Sequence, residues 1–216
     1  MKEIVVESIN IGLPNKEMFQ GKEITTGICK KPVQGQLNLK KTGFEGDGVA
    51  DLKNHGGMDK AVCVYSEDHY PYWEMTLGIK LYNAAFGENL TLLNLREDEI
   101  CIGDIFQFGT AITQVSQPRQ PCTTLAARYG RSDLIKLVIN SGYTGFYLRV
   151  LKEGITEKGD KMILLEKDSH NINISFANLI FHHDRKNRDG IEKVLAVPAL
   201  SESWKHSFQK LRERVW

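Results

Sequence analysis

Along most of the chain, short apolar runs alternate with turns that contain glycine. From residue 1 to about residue 166, these runs are rich in β-branched and aromatic side chains. Many short strands separated by regular turns predict a mainly β fold with some α, built as a closed barrel or a sandwich. The predicted strands are Ile4–Val6, Ala61–Tyr65, Ile105–Phe108, Ala111–Val115, Phe146–Leu151 and Met162–Leu165. The turns carry Gly35, Gly43, Gly46, Gly48, Gly103, Gly109, Gly154 and Gly159.

Helical periodicity marks two stretches inside this region and three after it. The inner stretches are Asp68–Met75 and Thr124–Asn140. After Asp168 the pattern predicts a helix capped by Ser175 and a second over Ile191–Val197. A third helix is capped by Ser201 and carries an apolar stripe at i, i+4, i+7 and i+11, formed by Trp204, Phe208, Leu211 and Val215. The sequence therefore predicts a β domain at 1–167 and a three-helix unit at 168–216.

Composition and charge narrow the function classes. The 216 residues are 41% hydrophobic and 25% charged, with a formal net charge of +1. This is normal for a globular protein and gives no overall attraction to nucleic acid or to an anionic membrane. No apolar run reaches the ~20 residues of a membrane helix, and the start, MKEIVVESINIG, lacks the features of an export signal. We expect a soluble, cytoplasmic protein that contacts no membrane and no nucleic acid polymer.

The three-helix unit is mildly basic. Residues 171–216 hold eight lysine and arginine residues against five acidic ones, a net charge of +3. A helix-turn-helix would use such charge to bind DNA, but the sequence lacks a clear signature for its turn. We therefore prefer a unit that packs against the β domain or docks a partner.

Among the four cysteines, Cys122 stands in unusual surroundings. No C-x-x-C pair is present, which disfavours structural zinc, and a disulfide framework is not expected without export. Cys63 and Cys101 belong to strand-like runs, and Cys29 also has a structural interpretation. Cys122 instead ends the stiff segment QPRQPC, whose arginine favours a thiolate. That thiolate is a nucleophile or a soft metal ligand, the alternative being a half-buried cysteine at a strand end.

A glycine-rich stretch, GFEGDGVADLKNHGGMDKAV, spans residues 43–62. Glycines let a backbone approach a ligand closely, and exposed amides with lysines suit an anion such as phosphate. The stretch matches neither a phosphate-binding loop of the Walker type, nor a dinucleotide fingerprint, nor a calcium loop. From spacing alone, a pair of tight turns with solvated charges is the slightly better explanation. A third segment, AFGENLT at residues 85–91, is a weak signal by itself.

Together these segments resemble the YiiM branch of the MOSC proteins. The resemblance rests on DGVADLKNHGGMDKAVCVY, FGENLT, IGDIF and VSQPRQPC in this order, and it covers nearly the whole chain. It implies a closed β-barrel with flanking helices, followed by the small three-helix extension of that branch. Met58 stands where proline is expected, and Thr123 stands where the branch often has an aromatic residue. Neither change removes a proposed ligand; the change at Thr123 bears on the pocket wall, and so on substrate preference more than on cofactor binding.

The resemblance also implies the site residues. Cys122 would be the protein ligand to molybdenum in the pyranopterin molybdenum cofactor, and Arg119 would stabilise the thiolate or contact the pterin phosphate. The other residues that we expect to contact the phosphate and pterin are Lys30, Lys31, Lys60, Gly56 and Gly57. Those that we expect to hydrogen-bond the pterin or support its ligands are His55, Asp59 and Asn89.

The activity implied is reduction of small N-hydroxylated compounds, including purine bases such as 6-hydroxylaminopurine, by oxygen-atom transfer. The chain shows no flavin or iron–sulfur motif, so electrons would come from a separate, flavin-containing reductase, with the three-helix unit as its docking surface. Two alternatives remain: a cofactor carrier or sulfur-handling module without turnover, and a metal-free thiol enzyme with Cys122 as nucleophile and His55 as base. An exposed stripe on the last helix would also allow a homodimer.

Overall fold

The strands of this computed structural model, which describes residues 3–215, form a closed barrel. Seven strands complete the circle in the order β1, β8, β7, β11, β10, β9 and β13, and β13 pairs with β1 to close it. Neighbours are antiparallel except β7 and β8. The strands are β1 Ile4–Ile11, β2 Asn15–Phe19, β3 Lys22–Thr26, β4 Lys31–Val33, β5 Leu37–Lys40, β6 Gly43–Phe44, β7 Val62–Ser66, β8 Leu90–Leu93, β9 Ile105–Phe108, β10 Ala111–Pro118, β11 Phe146–Lys152, β12 Gly154–Thr156 and β13 Lys161–Glu166. The barrel confirms the predicted fold class.

Alternation along the strands fills the barrel. Phe106 and Phe108 of β9 are buried and Gln107 between them is exposed, as a period of two requires. Strand β7 is buried on both faces, because Val62 and Val64 join the barrel core and Tyr65 joins a second apolar cluster outside it. The remaining strands extend the barrel: β4 pairs with β1, β2 and β3 form a hairpin, and β5 joins β6 and β12.

Helices cover the outside of the barrel. They are α1 Leu52–His55, α2 Tyr70–Leu77, α3 Thr123–Tyr129, α4 Leu134–Ser141, α5 Ile174–His182, α6 Arg188–Leu195 and α7 Glu202–Glu213. The prediction of one helical stretch over Thr124–Asn140 is wrong, because Gly130 adopts a left-handed conformation (φ 60°) that ends α3. Within residues 3–215, each helix is too short or too polar to cross a membrane.

Caps set the starts of the last three helices. Asn173, and not the predicted Ser175, accepts a hydrogen bond from the Phe176 amide at the start of α5. Asn187 caps α6 in the same way, so that helix begins before the predicted Ile191. The predicted cap of α7 is confirmed: Ser201 accepts from the amide of Trp204.

The three C-terminal helices share the core of the barrel. Trp204, Phe208 and Leu211 are buried in the same apolar cluster as the inward-facing strand residues. The stripe on α7 is therefore packed inside the chain and is not available as a dimer face. The boundary between the two domains at 167/168 stays a prediction. The first residue of the predicted β domain, Met1, and the last residue of the three-helix unit, Trp216, lie outside the described residues.

Candidate functional site around Cys122

A cavity of about 820 Å³ opens beside the barrel, between residues 47–63, the end of β10 and the start of α7. It brings together eight of the ten site residues that the sequence predicts. These are Lys30, His55, Gly56, Gly57, Lys60, Asn89, Arg119 and Cys122. The cavity is large enough for a cofactor or a drug-sized ligand.

Cys122 lies at the wall of this cavity, at the N-cap position of α3. Burial raises the pKa of its thiol, but a hydrogen bond with His55, the charge of Arg119 and the amide of Leu125 together lower it to about 7. A thiol with this pKa is about half ionised at pH 7. Such a thiolate is a soft metal ligand or a nucleophile, as the sequence predicts.

Arg119 is a buried cation at the same wall, with only 6% of its surface exposed. Its Nη2 donates to the carbonyl of Phe86 at 2.6 Å, and its own amide donates to the carbonyl of Gly145. Within residues 3–215, no carboxylate lies within 4.0 Å of the guanidinium. Because a buried charge is costly without a partner, this guanidinium suits an anion bound in the cavity.

Lys30 and Asn89 meet at Asp47. The Lys30 ammonium donates to Asp47 Oδ1, and Asn89 Nδ2 donates to Asp47 Oδ2 at 2.8 Å and to the carbonyl of Asn10 at 3.2 Å. Asn89 Oδ1 accepts from the amide of Cys63 at 3.0 Å. The side chain of Asn89 is thus fully used by the protein, so it supports the site rather than binding a ligand directly. Lys30 forms an ion pair with Asp47, and its ammonium has two further hydrogens to donate to a ligand.

The segment from α1 to the 3₁₀ turn Met58–Lys60 forms the opposite rim. Gly57 has φ 99°, which a residue with a side chain adopts only under strain, so glycine is needed there. Lys60 Nζ donates to the carbonyl of Asn54 at 2.6 Å, and burial lowers its pKa. His55, at the end of α1, lines the same cavity as Cys122 and lowers the pKa of its thiol.

The structure does not bring Lys31 and Asp59 to this cavity. Lys31 lies exposed on β4, because it follows Lys30 in an extended chain and therefore points to the other face. The Asp59 carboxylate instead binds Arg149 at 2.8 Å and accepts from the amide of Glu202 at 3.1 Å. Asp59 ties α7 to the barrel.

Several lining residues were not predicted as site residues. Cys63 and Tyr147 pair across β7 and β11, and burial raises the pKa of Cys63 to about 11. Cys63 could have been found from the alternation of β7, since it must face away from its inward neighbours. Helix α7 contributes Ser203, Trp204 and Ser207. No sequence signal placed this helix at the site, because only tertiary packing brings it there.

Comparison with known proteins gives consistent matches along the chain. The MOSC domain model matches residues 51–163, and the model of the YiiM-like, 3-alpha helix domain matches residues 174–214. YflK of Bacillus subtilis is 50% identical over 210 residues, which cover 97% of this chain and 95% of that protein. The crystal structure of YiiM from Geobacillus stearothermophilus has a TM-score of 0.83 at 39% identity and covers 97% of this chain and 99% of that chain. A Gibberella moniliformis protein named "Reductase" is 40% identical over 151 residues, which are 68% of this chain and 27% of that protein.

Proposed function

The chain belongs to the MOSC family, with the three-helix domain of its YiiM-like members, and from this premise we propose that it is a molybdenum cofactor-dependent reductase of small N-hydroxylated compounds. The observation that carries the proposal is the pairing of a thiol of pKa about 7, Cys122, with a buried arginine that has no carboxylate partner within residues 3–215, Arg119. The thiolate suits a thiophilic metal and the guanidinium suits an anionic group, so one cavity offers a partner to each part of such a cofactor.

The residues present fit the cofactor. Cys122 would ligate molybdenum, and Arg119, Lys30 and Lys60 would hold the phosphate and the pterin. When bound, the cofactor would supply oxygen-atom transfer from the N-hydroxy group of the substrate. The protein positions the thiol through the end of β10 and the first turn of α3, and His55 and Arg119 favour its ionised form.

The test of this function is turnover that depends on the cofactor. Protein from a host that makes the molybdenum cofactor is expected to reduce 6-hydroxylaminopurine with dithionite-reduced methyl viologen as the donor. Protein from a host unable to make the cofactor is expected to be inactive, because the cofactor supplies the redox step. Equal activity from both hosts would reject the proposal. Bound cofactor without turnover of any N-hydroxylated compound would favour the carrier alternative.

A separate reductase would supply the electrons in the cell. The Gibberella moniliformis protein supports this, because it carries the name "Reductase" and the shared segment makes up only 27% of it. Helix α7 is a reasonable docking site, since it runs from the cavity wall at Ser203 and Ser207 to Lys210 and Arg214 on the same face. Lys210 and Arg214 are exposed and have no ion pair within residues 3–215.

Reversing these two charges is expected to slow partner-driven turnover. In Lys210→Glu/Arg214→Glu, reduction driven by an extract of the source cells with NADPH should fall about tenfold at low salt, because rim charges steer association. Turnover with reduced methyl viologen should not change. The matched control is Lys136→Glu/Lys152→Glu, which alters the net charge equally at exposed positions elsewhere. Equal losses in both double variants, or with both donors, would argue against docking at α7. Deleting the three helices is not a clean test, because they share the core of the barrel.

One observation favours a second function. His55 and Cys122 line the same cavity, and their interaction lowers the pKa of the thiol, as a metal-free thiol enzyme would require of a base and its nucleophile. That function predicts full activity from the host without the cofactor and complete inactivation by alkylation of Cys122. The same two preparations therefore separate it from the molybdoenzyme.

A further inference from the structure

Helix α7 is fixed at the cavity by contacts that leave little freedom. The amide of Glu202 donates to Asp59 Oδ2 at 3.1 Å, and Ser203 Oγ donates to Gln117 Oε1 at 3.0 Å. Gln117 is itself buried and belongs to β10, the strand that leads to Cys122. The first turn and a half of α7 therefore stands beside the thiol-bearing loop at a defined position.

The hydroxyl groups that α7 presents to the cavity already donate their hydrogens to partners within the protein. Ser203 donates its hydrogen to Gln117, and Ser207 donates its hydrogen to the backbone carbonyl of Ser203 at 2.8 Å. A serine hydroxyl has one hydrogen and two lone pairs. With their hydrogens engaged, these two groups can offer a ligand only acceptor lone pairs. Ser203 Oγ also lies 3.3 Å from Ser201 Oγ, which uses one of its two lone pairs and leaves the other for a ligand.

The side of the cavity formed by α7 is uncharged. The lysine and arginine side chains of the cavity come from the loops, from α1 and from the end of β10: Lys30, Lys53, Lys60 and Arg119. The lining residues that α7 contributes within the described chain are uncharged: Ser203, Trp204 and Ser207. An anion is matched to the first group, whereas the acceptor lone pairs of Ser203 and Ser207 are matched to a neutral ligand with N–H and O–H donors. The indole N–H of Trp204, buried and without a hydrogen-bond partner among the described residues, adds one donor beside them.

We propose that Ser203 and Ser207 of α7 form the substrate-recognising wall of the cavity and select neutral ligands that carry N–H and O–H donors, such as the hydroxylamino edge of a purine base. This inference rests on the proposed reductase function and deepens it. It gives the C-terminal unit a direct part in substrate choice. The two serines are specificity-determining residues, and the chemistry stays with Cys122 and the cofactor.

The test compares two ligands of similar size on the cofactor-loaded protein. 6-Hydroxylaminopurine carries N–H and O–H donors at position 6, and 6-methoxypurine carries neither there. In calorimetric titrations, Ser203→Ala and Ser207→Ala are each expected to weaken binding of 6-hydroxylaminopurine by about three- to tenfold and to leave 6-methoxypurine unchanged. In turnover, KM should rise by the same factor while kcat is retained, because the lost contact is not specific to the transition state.

Two variants serve as controls. Ser207→Thr keeps the acceptor hydroxyl and should bind both ligands like the native chain. Thr76→Ala removes a hydroxyl that donates to the carbonyl of Tyr72 at 2.8 Å in α2, the same type of helix contact outside the cavity, and should have no effect on either ligand.

The outcomes separate this inference from the function on which it rests. Equal weakening of both ligands, or no change in either serine variant, would overturn the wall formed by α7 even if turnover is normal. If the serine variants bind only 6-hydroxylaminopurine more weakly and the native protein shows no turnover, the recognition role of Ser203 and Ser207 would stand and the reductase function would be rejected. Failure of the native protein to bind 6-hydroxylaminopurine would overturn both.

Discussion

Replacing Cys122 with alanine is expected to yield a folded protein without molybdenum. The thiolate is the only side-chain group in the cavity that combines a soft sulfur atom with a pKa near neutrality, about 7, among the described residues. Since loss of even an outer contact to a metal ligand costs about 10–100-fold in affinity or activity, loss of the ligand itself should lower turnover by at least about 100-fold. Elemental analysis and pterin fluorescence of protein from a cofactor-competent host measure the result directly.

Cys63→Ala is the matched control for this experiment. Cys63 is a second thiol of the same cavity, but burial raises its pKa to about 11, so it stays protonated at neutral pH and is a poor metal ligand. The control should keep molybdenum near stoichiometric. Pterin retained in Cys122→Ala with weakened molybdenum would mean that the cationic side chains bind the pterin without the thiolate. Neither component in the native protein, from a host shown to load another molybdoenzyme, would favour the metal-free thiol enzyme.

The barrel could be predicted because its strands carry their signal locally. Phe106 and Phe108 alternate with polar neighbours, and the run at Val62–Val64 is apolar enough to indicate a buried strand. These patterns did not distinguish a closed barrel from a sandwich, since closure depends on β13 pairing with β1 across more than 150 residues of sequence. The resemblance decided it. Helix ends were less predictable, because Gly130 and the asparagine caps act through single backbone positions.

The site was predictable where sequence neighbours stay neighbours in space. His55, Gly56 and Gly57 line the cavity together, as the glycine-rich segment indicated. The same reasoning failed for Lys31 and Asp59, which do not reach the cavity. Each is next in sequence to a lining residue, but adjacent side chains in a strand or a 3₁₀ turn point in different directions. The contribution of α7 follows from long-range contacts, such as Asp59 with the amide of Glu202, that leave no trace in local sequence.

The second large effect is expected at Arg119. In Arg119→Met the cavity loses a buried positive charge that favours the Cys122 thiolate, so the pKa of Cys122 should rise above its present value of about 7. Because a thiol ionises as the pH rises through its pKa, a higher pKa leaves a smaller fraction of thiolate at pH 7. Because the guanidinium also suits the anionic part of the cofactor, pterin and molybdenum content should fall by at least about tenfold.

Two measurements check this expectation on separate grounds. The rate of iodoacetamide labelling of Cys122 in cofactor-free protein, followed by peptide mass spectrometry, should have its midpoint near pH 7 in the native chain and at higher pH in Arg119→Met. Labelling near pH 7 should be selective for Cys122, because burial raises the pKa of the other three thiols and keeps them protonated. These are Cys29, Cys63 and Cys101. Cofactor content is measured on protein from the competent host.

The chain offers a matched arginine for comparison. Arg128 also donates to backbone carbonyls of the neighbouring segment, those of Ile28 and Ala84, but it does not line the cavity. Arg128→Met therefore removes a similar packing contact and should change neither the labelling midpoint nor the cofactor content. If both variants lost the cofactor equally, Arg119 would act through folding alone. If Arg119→Met kept the native midpoint and full loading, His55 would carry the ionisation of Cys122, and the anion-binding role of Arg119 would be wrong.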